Sequence, residues 1–236
     1  MGYYSSYFLV LIAVAITAIA SINVNTTFRK YSKISNMRGL TAAEVARQIL
    51  DMNGLNYVNI ERVAGNLTDH FDPKTNVVRL SDSTFNSTSV AALGVAAHEC
   101  GHAVQYKENY FPMKVRAAII PVTNFGSRLA VPLILFGLII AAFSQGANAY
   151  SEFIVNLGII LYSFVVLFQL VTLPVEFNAS GRAIKTMREN NILMANELPG
   201  AKKTLTAAAL TYVAALLSSI LTLLRLIAIS RGGRRR

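Results

Sequence analysis

The chain has 236 residues, 53% hydrophobic and only 14% charged, with a net charge of +10 and a single cysteine. A soluble domain carries about 25% charged residues, so this composition excludes an ordinary water-soluble globule; one cysteine excludes an intrachain disulfide framework. The bases are spread along the chain and the aromatic residues sit in apolar runs, so the charge reads as flanks of membrane spans and a nucleic-acid partner is not expected.

Tyr3 to Ile22 is uncharged and long enough to cross a bilayer, which takes about 20 residues. It lacks a basic leading region and its apolar part is long, so it reads as an uncleaved anchor rather than a signal peptide. Arg29, Lys30, Lys33 and Arg38 follow. Thr41-Ala-Ala-Glu44 has the form of a capping box opening an amphipathic helix to about Met52, with Gly54 as its stop. Val58 to Arg62, Leu67 to Phe71 and Val77 to Leu80 read as three short strands, the last two joined by the turn Asp72-Pro-Lys-Thr-Asn76. Asn86 and Ser87 are candidate N-caps for a helix reaching about Lys107, and Pro112 marks the end of that element. Spans are expected within Val122 to Phe143 and from Phe153 to Leu173. Pro174 is expected to start a new helix, which Glu197-Leu-Pro199-Gly200 breaks. Leu205 to Ile229 is a fourth apolar segment, followed by an arginine-rich tail.

Inside the helix before Lys107 stands His98-Glu99-Cys100-Gly101-His102. Residues four apart project from one helix face, so His98 and His102 can hold one metal ion with Glu99 beside it as general base. An ordinary buried helix would have to hide an unpaired Glu, which is costly. Cys100 lies about 200° around the helix from His98 and reads as a small core residue. Catalytic zinc takes three protein ligands, so one is missing. A further His six residues after His102 would supply it, but Glu108 stands there. His70 and Glu176 remain as candidates. Glu176 is favoured because a hairpin of two spans returns the chain to the starting face, and because no other acid lies between Glu152 and Glu189.

An anchor, a domain with His98-Glu99-x-x-His102, two spans, and then Glu176-Phe-Asn-Ala179-Ser180-Gly-Arg182-Ala resemble the YugP-type neutral zinc metallopeptidases of bacterial membranes. More distantly the chain is similar to HtpX-type membrane proteases, which are gluzincins. Leu67-Thr-Asp-His-Phe-Asp72-Pro73 and Leu80-Ser81 share in the resemblance, which covers nearly the whole chain. It implies His98, His102 and Glu176 as ligands of one zinc ion and Glu99 as catalytic base. HtpX-type enzymes carry Glu-x-x-Ala-Asp from the third ligand onward; here Ser180 stands at the Asp position, a neutral partner for a ligand in place of a charged one.

These readings set the expectations. The fold is a mainly α integral membrane protein with about four apolar spans and a small α+β zincin-like domain. Its parts are an anchor at 1–22, a metallopeptidase domain at 23–121, a transmembrane hairpin at 122–173, a third-ligand helix and loop at 174–204, and a last apolar segment with the basic tail at 205–236. The function is a zinc-dependent endopeptidase of the cell membrane acting on polypeptides, membrane or misfolded proteins among them. The alternative is a non-enzymatic, zinc-stabilised membrane scaffold, against which the presence of Glu99 speaks. His70 and Arg182 are candidates for stabilising the oxyanion. Most bases near span ends, including Arg29, Lys30, Lys33, Lys114, Arg116, Lys202 and Lys203, fall on the side of His98, which favours a cytoplasmic active site. The tail arginines agree with this if Leu205 to Ile229, interrupted by Ser218-Ser219, folds back without crossing.

Overall fold

The computed structural model describes residues 3–144, 146 and 148–233; the arginines at 234–236 lie outside the described residues. In chain order the elements are α1 (Tyr3–Tyr31), α2 (Ala42–Met52), β1 (Asn59–Val63), β2 (His70–Asp72), β3 (Val77–Ser81), α3 (Val90–Lys107), α4 (Phe111–Phe143), α5 (Ala149–Glu189) and α6 (Leu198–Gly233). Four of these helices, α1, α4, α5 and α6, are long and apolar enough to cross a membrane. The chain is a mainly helical membrane protein with a small sheet.

One compact unit comprises Ala20–Met113 and Pro174–Thr211. Its centre is α3, buried along most of its length. Val45, Ile49 and Leu50 of α2, Val78 and Leu80 of β3, Ala183 and Met187 of α5, and Ala201 and Leu205 of α6 join its core. The expected capping box is present: Glu44 N–H donates to Thr41 Oγ1 and the Glu44 carboxylate accepts from Thr41 N–H at 2.8 Å. α3 starts later than expected. Its N-cap is Ser89, whose Oγ accepts from Ala92 N–H, while the Ser87 hydroxyl is occupied in holding Ser89. Small residues bring α6 onto α3: a Cβ on Gly94 would stand 3.3 Å from the Ala201 side chain, and one on Gly200 would stand 2.9 Å from Val90.

The sheet has the order β1-β3-β2, with β1 parallel and β2 antiparallel to β3. The second strand is shorter than expected. Leu67 has a left-handed φ of 55°, and residues 67–69 leave the ladder. The Asp69 carboxylate instead accepts from Ser81 N–H and Ser81 Oγ, side-chain bonds that replace strand pairing. The β2–β3 turn is held by Asp72, which accepts from Lys74 N–H and Thr75 Oγ1. With the Thr75 bond as the largest cause, followed by Lys74 N–H and Arg79, the Asp72 carboxyl is lowered to about 2.

The other unit comprises Met1–Ile19, Lys114–Leu173 and Tyr212–Arg236. Here α4 and α5 pack antiparallel through small residues: a Cβ on Gly126 would meet Leu161 O at 2.7 Å, one on Gly158 would meet Ala130 O at 2.8 Å, and one on Gly137 would meet Ser151 O at 2.9 Å. Ser218 of α6 donates to Ala13 O of α1.

Two expectations about proline need correction. Pro174 does not start a helix; α5 runs unbroken from Ala149 to Glu189 with Pro174 inside it. Proline removes one bond to the carbonyl four residues back, and the helix continues past that single loss. Pro199 does not break a helix either, since it lies in the first turn of α6, where no N–H is needed.

Candidate metal centre

His98 and His102 lie one turn apart on α3, with their rings edge to face and centroids 4.7 Å apart. Glu176 of α5 comes down on both. Its Oε2 is 3.2 Å from His98 Nε2 and 3.6 Å from His102 Nε2. One ligand atom from each of the three residues fits within 4.8 Å of the others, and the Glu176 side chain is only 2% exposed. The helices meet this closely because of Gly101. A Cβ there would stand 2.8 Å from Ala179 O and 3.2 Å from Ala179 Cα, so only glycine lets the turn of α5 that follows Glu176 rest on α3.

Zinc bonds nitrogen and oxygen at about 2.0–2.2 Å, so two ligand atoms at tetrahedral angles lie about 3.3–3.6 Å apart. The two histidine–carboxylate separations, 3.2 and 3.6 Å, lie close to that spacing. The chemistry of the donor set, two imidazoles and a carboxylate, also suits zinc. Burial opposes a charge on His102, yet the hydrogen bond to Glu176 and the negative charges of Glu99 and Glu176 outweigh it and raise its pKa above the ordinary value. The field that favours a proton at this point favours a metal cation too.

Both imidazoles are held from behind. His98 Nδ1 is 3.1 Å from Ser180 Oγ, so Ser180, expected as a neutral partner for a ligand, does touch a candidate ligand. His102 Nδ1 is 3.0 Å from Oε1 of the fully buried Gln105. Gln105 Nε2 in turn donates to Val175 O at 2.8 Å and to Asn178 Oδ1 at 2.9 Å. Sequence reasoning missed Gln105 and Asn178. A signal did exist for Gln105, an amide three residues after His102 on a helix that is otherwise buried and apolar.

Glu99 is 8% exposed and forms no hydrogen bond or ion pair with any described residue. Cys100 faces the core, where its Sγ contacts Ala46 O and burial pushes its thiol well up. His70 stays outside the cluster; it is exposed on β2, with Nδ1 at 2.9 Å from Thr68 O. Arg182 is already engaged: Nε donates to Asn178 Oδ1 at 2.7 Å and Nη2 pairs with Glu108 at 2.7 Å. Glu108, standing where a third histidine would continue the motif, thus serves a salt bridge. A cleft of about 690 Å³ lies on another face of α3 and is lined by Ala97, Gly101 and Val104; it includes none of His98, His102 or Glu176.

The chain is 45% identical over 227 residues to the "Putative membrane protease YugP" of Bacillus subtilis (strain 168), an alignment covering 96% of this chain and 97% of that protein. No solved structure matches it. A family model described as "Putative neutral zinc metallopeptidase" matches residues 6–231. With His98, His102 and Glu176 gathered as a potential metal site, the chain belongs to this neutral zinc metallopeptidase family.

Proposed function

We propose that this protein is a membrane-embedded endopeptidase in which His98, His102 and Glu176 hold one catalytic zinc ion and Glu99 is the general base. The observation that carries this reading is the convergence of the three side chains within 4.8 Å, with Glu99 next in sequence to His98 and in no hydrogen bond or ion pair among the described residues. Zinc held by His98, His102 and Glu176 would supply Lewis acidity, polarising a substrate carbonyl and making water a stronger acid. Glu99 takes the proton of the attacking water and passes it to the leaving amine. A carboxylate with no competing hydrogen bond is suited to that shuttle.

Substrates are polypeptides, membrane or misfolded proteins among them. β2 supports an extended binding mode: it is an edge strand, paired with β3 on one side only, and its Phe71 ring stands 6.0 Å from the ring of Tyr106 on α3. A peptide added along that edge would run beside the helix that carries the histidines. The bases near span ends support a cytoplasmic active site. In a Cys100→Ser background, Lys74→Cys should then be shielded from impermeant thiol reagents in intact cells and labelled after lysis; labelling of intact cells would reverse the orientation.

Glu99→Gln tests the enzymatic reading. The amide keeps the shape and cannot accept the proton, so cleavage of a casein-like substrate should fall by at least about 100-fold with zinc still bound. Undiminished hydrolysis by the purified variant would remove Glu99 from the mechanism. A wild-type protein that binds zinc and cleaves nothing would point to the scaffold.

A further inference from the structure

We propose that Gln105 is the positioning residue of the metal centre: it selects the tautomer of His102 and ties that ligand to the turn of α5 that carries Glu176. The inference rests on the zinc reading above and names a residue that neither the motif nor the family resemblance assigns.

The polarity of the network is forced at both ends. Arg182 can only donate, so the Asn178 atom 2.7 Å from its Nε must be the oxygen. Val175 O can only accept, so the Gln105 atom 2.8 Å from it must be the amide nitrogen. That nitrogen has two protons and two acceptors in reach, Val175 O and Asn178 Oδ1, and both are used. The other end of the amide is therefore Oε1, an acceptor, and it faces His102 Nδ1 at 3.0 Å. His102 must carry its proton on Nδ1, which leaves the Nε2 lone pair directed at the cluster with Glu176. The same side chain reaches the carbonyl of Val175, the residue just before Glu176. One buried amide thus spans two of the three ligand-bearing positions and sets the protonation of one of them. The contrast with His98 sharpens the assignment. Its Nδ1 partner is the Ser180 hydroxyl, which can donate or accept and imposes no tautomer.

Gln105 is fully buried, so leaving any of these groups unpaired cannot be repaired by bulk water. Replacing an outer partner of a metal-bound histidine typically weakens metal binding about 10–100-fold. The test is zinc affinity of the purified full-length chain, measured by competition with a chromophoric chelator, with thermal unfolding of the zinc-free protein alongside. Gln105→Met keeps volume and loses every hydrogen bond; its zinc affinity should fall by about 10–100-fold. Asn178→Asp keeps the acceptor for Gln105 and Arg182 and should stay within about threefold of wild type, whereas Asn178→Ala should weaken binding by more than that. Thr204→Val is the control, a buried hydroxyl bonded to Gly200 O away from the centre, and should leave affinity unchanged.

Wild-type affinity in a folded Gln105→Met protein would overturn the proposal, as would an equal loss in Thr204→Val. If Gln105→Met does not fold, the Asn178 pair decides: equal affinities in Asn178→Ala and Asn178→Asp would overturn it. A wild-type chain that binds no zinc would instead defeat the metal reading itself, so the two failures are distinguishable.

Discussion

Helices α3 and α4 are both strongly apolar, yet they spend that apolarity in opposite ways. α3 buries most of its residues, Leu93 and Ala96 to 0% exposure. α4 is 33 residues long and buries only Thr123, Gly126, Ala130, Ile134 and Gly137, while Leu135 and Phe136 are each 55% exposed. In α3 the apolar side chains are covered by protein on nearly every face, and the polar exceptions are the candidate site. In α4 the buried residues are mostly small and are spaced three or four apart along one face, and large side chains point outward where a lipid would cover them. Hydrophobicity alone therefore does not distinguish a membrane span from a core helix; what distinguishes them is which residues are small and which are covered.

The same substitution in the two helices should separate these roles. Leu93→Ala opens a cavity in a packed core and should cost about 2–5 kcal/mol, read as a lowered midpoint in chemical unfolding of the purified protein. A smaller effect is expected behind the histidines. Ser180→Ala removes a hydroxyl that fixes no tautomer, so zinc affinity should drop by about tenfold at most, the low end for such partners. Smallest of all, Leu135→Ala trims an outward-facing side chain and should change stability by less than about 0.5 kcal/mol. A Leu135→Ala loss as large as that of Leu93→Ala would mean that α4 is covered by protein and not by lipid.

The comparison also explains what could be read from residues alone. The His98–His102 spacing, the Thr41–Glu44 capping box and the long uncharged runs are local patterns, and local patterns survive in a linear chain. That Glu176 approaches the histidines followed from connectivity, since a hairpin of two spans must return. The means of approach did not follow. The sequence points to a new helix at Pro174, whereas α5 is continuous and the contact depends on Gly101 seated against Ala179. The tie from Gln105 to Val175 and Asn178 is illegible for the same reason, because these partners lie about 70 residues apart in sequence and only packing brings them together. Residues 67–69 read as strand in the sequence, but the Asp69 carboxylate accepts hydrogen bonds from Ser81 N–H and Ser81 Oγ in place of ladder pairing.

The most direct measurement is the zinc content of purified wild-type, Glu99→Gln and Glu176→Ala proteins after exchange against a weak chelator. If His98, His102 and Glu176 form the centre, wild type and Glu99→Gln should each retain about one zinc per chain, and Glu176→Ala should lose it together with all proteolysis. Zinc retained at wild-type stoichiometry and affinity in Glu176→Ala would contradict the account.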